Sequence, residues 1–219
     1  MDIPWRYQYI NDIGNGGFGK VALVKDLISG QHLALKISSP EQSADLRAEF
    51  IRLHRFKHPY MPSVYDFHQT PDFSCFSMEY CNGKRPHDFM NSSGDIYERV
   101  SGIWSELTSV LAFIHRKGLI HGDIKPDNIV LTNGGIKLLD LGMARSDGFL
   151  LNDTIRCTPA YSSPEVHSGR GVITQASDIY SLGLMILDLK QLHTFMQILK
   201  LTILGLEKSL IYFFITIMR

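Results

Sequence analysis

His121–Asn128 reads HGDIKPDN, with a histidine, two aspartates, a lysine and an asparagine in eight positions. Gly122 and Pro126 interrupt it, so it cannot continue a helix, and it is too polar for a core strand. It lies between a helical apolar pattern and two short apolar runs, NIVLT and IKLLDL. A polar loop held between core segments presents its side chains for chemistry, and the residues around it indicate which chemistry.

Upstream, Asp95 to Lys117 is amphipathic, with Ile96, Val100, Ile103, Leu107, Val110 and Ile114 on one face. Arg116 and Lys117 fall in its last turn and Gly118 is placed to cap it. Downstream, LLDLG sets Asp140 after an apolar strand and before Gly142; a Ser/Thr/Pro-rich loop follows, then a helix near Asp178 to Leu189. Asp123 and Asn128 are five apart, with Lys125 between them. Phosphoryl transfer asks for such a set. One carboxylate accepts the proton of the attacking hydroxyl, while an amide oxygen and a second carboxylate hold Mg²⁺ against the phosphates. A lysine offsets charge in the transition state. A positioned general base supplies ~10²–10⁴-fold, so positioning and charge supply most of the rest.

The first ~80 residues read mainly as strands: YQYINDI and KVALVKD around a glycine cluster, HLALKIS after a turn, and FSCFSMEY. A single helical pattern runs from about Gln42 to Phe56, with Leu46, Phe50 and Leu53 on one stripe. The glycine cluster, GNGGFGKV at Gly14 to Val21, is G-x-G-x-x-G-x-V. Strand-type residues on both sides make it a hairpin, distinct from the strand-to-helix turn of a dinucleotide fold. Its tip can bring backbone N–H groups close to phosphate oxygens. Lys36, seventeen residues beyond Gly19, stands among Leu33, Leu35 and Ile37 and is expected to point into a cleft. Glu49, one turn before Leu53, is expected to pair with it.

Composition is consistent with a single large domain or two small lobes. The chain has 219 residues, 44% of them apolar, with formal net charge +0 and pI near 7.1. That balance gives no electrostatic case for nucleic acid. Cys75, Cys81 and Cys157 show no CxxC spacing and read as apolar thiols of a reducing compartment. The N-terminus lacks a basic start followed by an apolar run, so no signal peptide is expected and the expected location is cytoplasmic.

From about Tyr9 to Leu189 the chain resembles the eukaryotic-type serine/threonine protein kinases in motif order and spacing. The resemblance rests on the glycine loop, Lys36 and Glu49, MEYC, His121–Asn128, Asp140–Gly142, TPAYSSPE at Thr158–Glu165, and SDIYSLG from Ser177. It implies an α+β, bilobal fold with a β-rich N-lobe at 1–81, a helical C-lobe at 82–189 and an atypical apolar tail at 190–219. It implies ATP and Mg²⁺ as cofactors and a protein substrate carrying Ser/Thr. Asp123 would be the catalytic base, Lys125 would assist transfer, and Asn128 and Asp140 would bind metal. Nucleotide would meet Ile13, Gly14, Asn15, Gly16, Gly17, Phe18, Gly19, Val21, Ala34, Lys36 and Glu49. Met78 would be the gatekeeper, with Glu79 and Cys81 offering backbone groups to adenine, and Asp178 would brace the catalytic loop.

The chain departs from the family pattern at four points. Gly122 stands where many kinases have an arginine that meets a phosphorylated activation loop, so activity is not expected to depend on such a phosphate. Leu141 replaces the phenylalanine of D-x-G. HGD…N also resembles small-molecule phosphotransferases such as aminoglycoside and choline kinases; Lys125, the three-glycine loop and TPAYSSPE favour the protein kinases. After Leu189 the family's later helices are not recognisable, and no internal arginine is available to pair with Glu165. The expectation is therefore a C-lobe lacking its last helices, with an inactive kinase-like binding module as the non-enzymatic alternative. Glu207 and Lys208 interrupt the apolar tail, leaving ten uncharged residues from Ser209 to Met218 against the ~20 that a membrane span needs. No membrane anchor is expected; self-association through the tail is.

Overall fold

The computed structural model describes residues 3–16, 19–86, 88, 96–151 and 158–189. Gly17, Phe18, Thr154, Cys157 and the tail at 190–219 lie outside the described residues, and so do the expectations attached to them. The chain divides into two units: the described residues of Met1–Gly83 with Thr132–Gly142, and those of Lys84–Leu131 with the remainder from Met143.

The first unit is built on a five-stranded antiparallel sheet in the order β1-β2-β3-β5-β4. Its strands are β1 (Tyr7–Gly16), β2 (Gly19–Asp26), β3 (His32–Ser38), β4 (Val64–Gln69) and β5 (Ser74–Glu79). Alternation decides its faces. Leu33 and Leu35 join Tyr7, Ala22, Val24 and Cys75 in one apolar cluster, with Ile37 packed against it. Ala34 and Lys36 therefore belong to the opposite face. Burial pushes the Cys75 thiol up to about 12, which suits an inert core residue.

Helix α1 (Ser43–Arg55) follows a short 3-10 turn at Pro40–Gln42 and buries Leu46, Glu49 and Leu53. Phe50 fixes it to the sheet, its ring 5.5 Å from Phe67 on β4 and 5.7 Å from Phe76 on β5. Phe76 pairs with Lys36 across the β3–β5 ladder, so α1 covers the face that carries the lysine. Arg6 ties the N-terminal end down, bonding both oxygens of Asp26 at 2.8 Å and Asp66 at 2.7 Å.

The second unit is centred on α2 (Ile96–Arg116) and α4 (Gln175–Leu189). Val100, Ile103, Leu107, Val110 and Ile114 of α2, read from the sequence as one stripe with Ile96, are buried, as is Leu111 beside them; the Ile96 side chain lies outside the described residues. Gly118 ends the helix at φ +74, donating to His115 O as the last turn closes. Two small antiparallel pairs follow: β6 (Leu119–Ile120) with β9 (Arg145–Ser146), and β10 (Phe149–Leu151) with β11 (Gly171–Ile173). Between β6 and β9 in sequence lie β7 (Ile129–Thr132) and β8 (Gly135–Leu138). Helix α3 (Pro164–Ser168) has Pro in its first turn and ends on Gly169 at φ +65. Ile120, Leu151, Val166 and Ile173 form one apolar cluster, so β6, β10, α3 and β11 share a core. Among the described residues, no helix is long and apolar enough to cross a membrane.

Candidate functional site

In the first unit, Lys36 is 4% exposed and its Nζ lies 2.8 Å from both Glu49 carboxylate oxygens. Asp140 Oδ1 lies 3.0 Å from the same nitrogen. Burial alone would lower the lysine's pKa, yet the two carboxylates outweigh it and the ammonium ends above its ordinary value. Burial pushes Glu49 up to about 7, with Lys36 pulling down and Asp140 adding to the rise. The result is a buried cation held by two carboxylates, one from α1 and one from the D-L-G turn.

Asp140 has φ +63, the one positive value at a non-glycine among the described residues. Its Oδ1 also accepts from Gly142 N at 2.8 Å, which closes the turn on itself. Leu141 is buried, and its carbonyl accepts from Arg52 of α1 at 2.9 Å.

The glycine hairpin pairs Gly14 with Val21 and Gly16 with Gly19, and Val21 pairs in turn with Lys36. Only some of its glycines are dictated by space. A Cβ on Gly19, at φ +116, would come within 2.1 Å of the Ile37 carbonyl, whereas one on Gly14 would meet, among the described residues, Val21 alone at an ordinary 3.6 Å. Ile13 and Gly14 are half-buried and Asn15 is exposed. Ala34 is buried opposite Met78, and Met78, Glu79 and Cys81 are half-buried along the end of β5 and just beyond it. The Glu79 side chain is engaged by Lys137, with Nζ 2.8 Å from Oε1, and by Ser63 N at 3.1 Å.

In the second unit the residues of the His121–Asn128 loop converge. Lys125 Nζ lies 2.6 Å from Asp123 Oδ2 and donates to Thr158 Oγ1 at 2.8 Å. Thr158 Oγ1 in turn donates to Asp123 Oδ1 at 2.9 Å. The Asn128 amide nitrogen donates to Asp123 O at 2.7 Å and to Asp123 Oδ2 at 3.1 Å. That arrangement commits the asparagine's nitrogen to the loop and leaves its oxygen as the group to offer a ligand.

Asp178, 1% exposed on α4, supports the backbone of the loop. Its Oδ2 accepts from His121 N at 2.8 Å and its Oδ1 from Gly122 N at 2.9 Å. His115 Nε2 sits 2.8 Å from Oδ2 as well. Gly122 takes φ +80, and a Cβ there would lie 3.1 Å from Met143 O and 3.7 Å from Ile173 Cδ1. Glu165 has a partner despite the missing arginine, since the Ser177 hydroxyl donates to it at 2.6 Å.

Thr158, Arg52 and His115 take part in these networks and are absent from the site residues expected from sequence. Thr158 stood inside TPAYSSPE, but nothing local links it to a carboxylate 35 positions away.

Asp140, in the first unit, offers a carboxylate and Asn128, in the second, an amide oxygen, each a hard oxygen donor of the kind Mg²⁺ takes. Among the described residues no group of three or more His, Cys, Asp or Glu is arranged to hold a metal ion.

Comparison with known proteins matches the protein kinase domain family over residues 7–205. Serine/threonine-protein kinase PrkC of Bacillus subtilis is 33% identical over 203 residues, covering 85% of this chain and 30% of that protein. Maternal embryonic leucine zipper kinase of Xenopus laevis is 30% identical over 82% of this chain and 29% of its own length. CBL-interacting serine/threonine-protein kinase 18 of Arabidopsis thaliana is 30% identical over 86% and 38% respectively. The chain thus spans roughly a third of the length of these relatives. With a family match over most of its length, an antiparallel β-unit carrying Lys36 and a helical unit carrying Asp123, the chain belongs to the protein kinase domain family.

Proposed function

We propose that this chain is an ATP-dependent serine/threonine protein kinase, transferring the γ-phosphate of MgATP to Ser or Thr hydroxyls of a protein substrate. The observation that carries the reading is the Asp123 carboxylate, held by Lys125, Thr158 and Asn128 at 2.6–3.1 Å. A carboxylate locked in this way is preorganised to take the proton of an attacking hydroxyl. Lys125 beside it offsets the negative charge that develops on transfer. Bound MgATP supplies the phosphoryl group and the cation that neutralises its oxygens.

The other residues take supporting roles in this reading. Lys36, kept charged by Glu49 and Asp140, binds phosphate oxygens. Asp140 and the Asn128 oxygen serve the metal. The backbone of Glu79 and Cys81 receives adenine beside Met78, with Ile13, Val21 and Ala34 as apolar cover. Glycine-loop N–H groups approach the phosphates. Thr158, which opens TPAYSSPE, joins the base to the segment that would receive a peptide, and this favours a protein substrate over a small alcohol. The cytoplasm, where MgATP is abundant and thiols stay reduced, is the matching location.

The test is incorporation of labelled phosphate from MgATP into a Ser/Thr peptide library by residues 1–219, beside Asp123→Asn. The wild type is expected to label peptides, and the variant to lose ~10²-fold or more while melting at the same temperature. Equal labelling by both, or none by a folded wild type, would refute the reading.

A further inference from the structure

The D-L-G turn is strained, and something must hold it. Asp140 sits at φ +63, a left-handed conformation that costs most non-glycine residues and that an aspartate keeps through local hydrogen bonds. Three contacts surround it. Gly142 N and Lys36 Nζ both reach Oδ1, at 2.8 and 3.0 Å, and Arg52 Nη2 reaches the carbonyl of the next residue, Leu141, at 2.9 Å. The first is internal to the turn, and the second comes through a side chain that Glu49 holds. Of these three, the Arg52 bond ties the backbone of the turn directly to α1.

Arg52 is placed for this. It stands three residues after Glu49, so both belong to the same face of α1. The helix therefore grips Asp140 twice, through Glu49 and Lys36 to its carboxylate and through Arg52 to the peptide that follows it. A guanidinium donor to a buried-side carbonyl is a charge-assisted bond with fixed geometry, which a flexible ammonium reproduces only in part. Leu141 itself contributes aliphatic packing, with no ring to lock the turn's orientation.

We propose that Arg52 is a positioning residue for the metal-binding aspartate, holding the Leu141 carbonyl so that the Asp140 carboxylate stays turned toward the metal. The inference rests on the proposed function, because it takes Asp140 as a metal ligand. Without Arg52 the turn can relax from positive φ and withdraw the carboxylate, while the apolar core of the first unit is untouched.

The test is a Mn²⁺ titration followed by electron paramagnetic resonance, on residues 1–219 saturated with a non-hydrolysable ATP analogue. Arg52→Met is expected to bind Mn²⁺ about tenfold more weakly, the factor that one hydrogen bond carries, with a single cooperative melt about 2–6 °C below wild type. Arg52→Lys, which restores a donor, is expected to return to within about threefold of wild type. Should Arg52→Met fail to fold, Arg52→Gln, too short to reach the carbonyl, takes its place under the same criteria. Binding by the Met or Gln variant within twofold of wild type overturns the inference and leaves the proposed function standing. So does a Lys variant as weak as the Met variant. A wild type that binds no Mn²⁺ beside nucleotide overturns both.

Discussion

Gly122 and Gly148 provide a controlled comparison for the catalytic loop. Both adopt φ +80, so an alanine at either pays the same left-handed backbone cost, about 1–2 kcal/mol. Both also gain about 0.4–1 kcal/mol from the stiffer unfolded chain. They differ in the space around them. An alanine methyl at Gly148 meets none of the described residues within 4 Å, whereas at Gly122 it lies 3.1 Å from the Met143 carbonyl and 3.7 Å from Ile173 Cδ1. The carbonyl is backbone and cannot swing aside as a flexible side-chain end would. Gly122 N is also fixed by Asp178 at 2.9 Å, so the glycine cannot retreat without losing that bond. Overpacking of this kind costs a further ~1–3 kcal/mol. Gly148→Ala is therefore expected to destabilise by about 1 kcal/mol and Gly122→Ala by about 2–4 kcal/mol. For a chain of this size each kcal/mol moves the midpoint by about 2–4 °C. Urea midpoints and thermal melts of the two variants, measured side by side, give the comparison. If Gly122→Ala proves as stable as Gly148→Ala, the crowding at Met143 and Ile173 does not constrain the loop and the reasoning is wrong.

Glu49 gives a pH-dependent expectation. Its folded value, about 7, lies above the ordinary 4.5, so its contribution to stability is complete below pH ~4.5 and is lost as pH rises through 7. Lys36 is raised above 10.5 and stays charged throughout that window. The stability of wild type relative to Glu49→Gln should therefore fall between pH 4.5 and 7, then level off; a gap widening toward neutrality would show that Lys36 dominates the pair. A second expectation concerns control. With Gly122 in place of an arginine, and the nearby β10–β11 pairing closed by the apolar cluster of Ile120, Leu151, Val166 and Ile173, phosphatase treatment should leave peptide phosphorylation within about twofold. Loss of activity on dephosphorylation, restored by a Thr154→Glu change, would contradict it.

The elements legible in the sequence are those with a period to read. The α2 stripe from Val100 to Ile114, the alternation of Leu33, Ala34, Leu35 and Lys36, and the glycine hairpin each carry their signal within a dozen residues. Lys36 and Glu49 could be paired because strand and helix periodicity each pointed one residue at the same cleft. β4 was missed because it is an edge strand of VYDFHQ, only partly buried, whose Asp and His hide the alternation. β6, β9, β10 and β11 are two or three residues long and exist through partners far along the chain, so no local pattern marks them. Helix α3 had a readable signal, a proline at its start and a glycine after its end, but at five residues it offered no periodicity. Helix α4 begins at Gln175, three residues before the aspartate that marked it, where Thr174 N donates to the Ser177 hydroxyl oxygen at 3.1 Å. Residue types at the site were readable, and the bracing of the loop by Asp178 was expected from the family resemblance; the link between Asp123 and Thr158 was not readable, since it depends on which distant segments meet.

Asp178 has a further consequence, in the timing of synthesis. Its bonds to His121 N and Gly122 N span 57 and 56 residues, and its contact with His115 spans 63. At roughly 5–20 residues per second, a ribosome that has made His121 needs about 3–11 s more to make the group that supports it. The five strands of the first unit's main sheet are all made once Glu79 is added, but Asp140, the third member of its buried charge cluster, is still 61 residues away. Synthesis therefore completes the sheet of the first unit first, its buried charge cluster next, and the Asp178 support of the His121–Asn128 loop last.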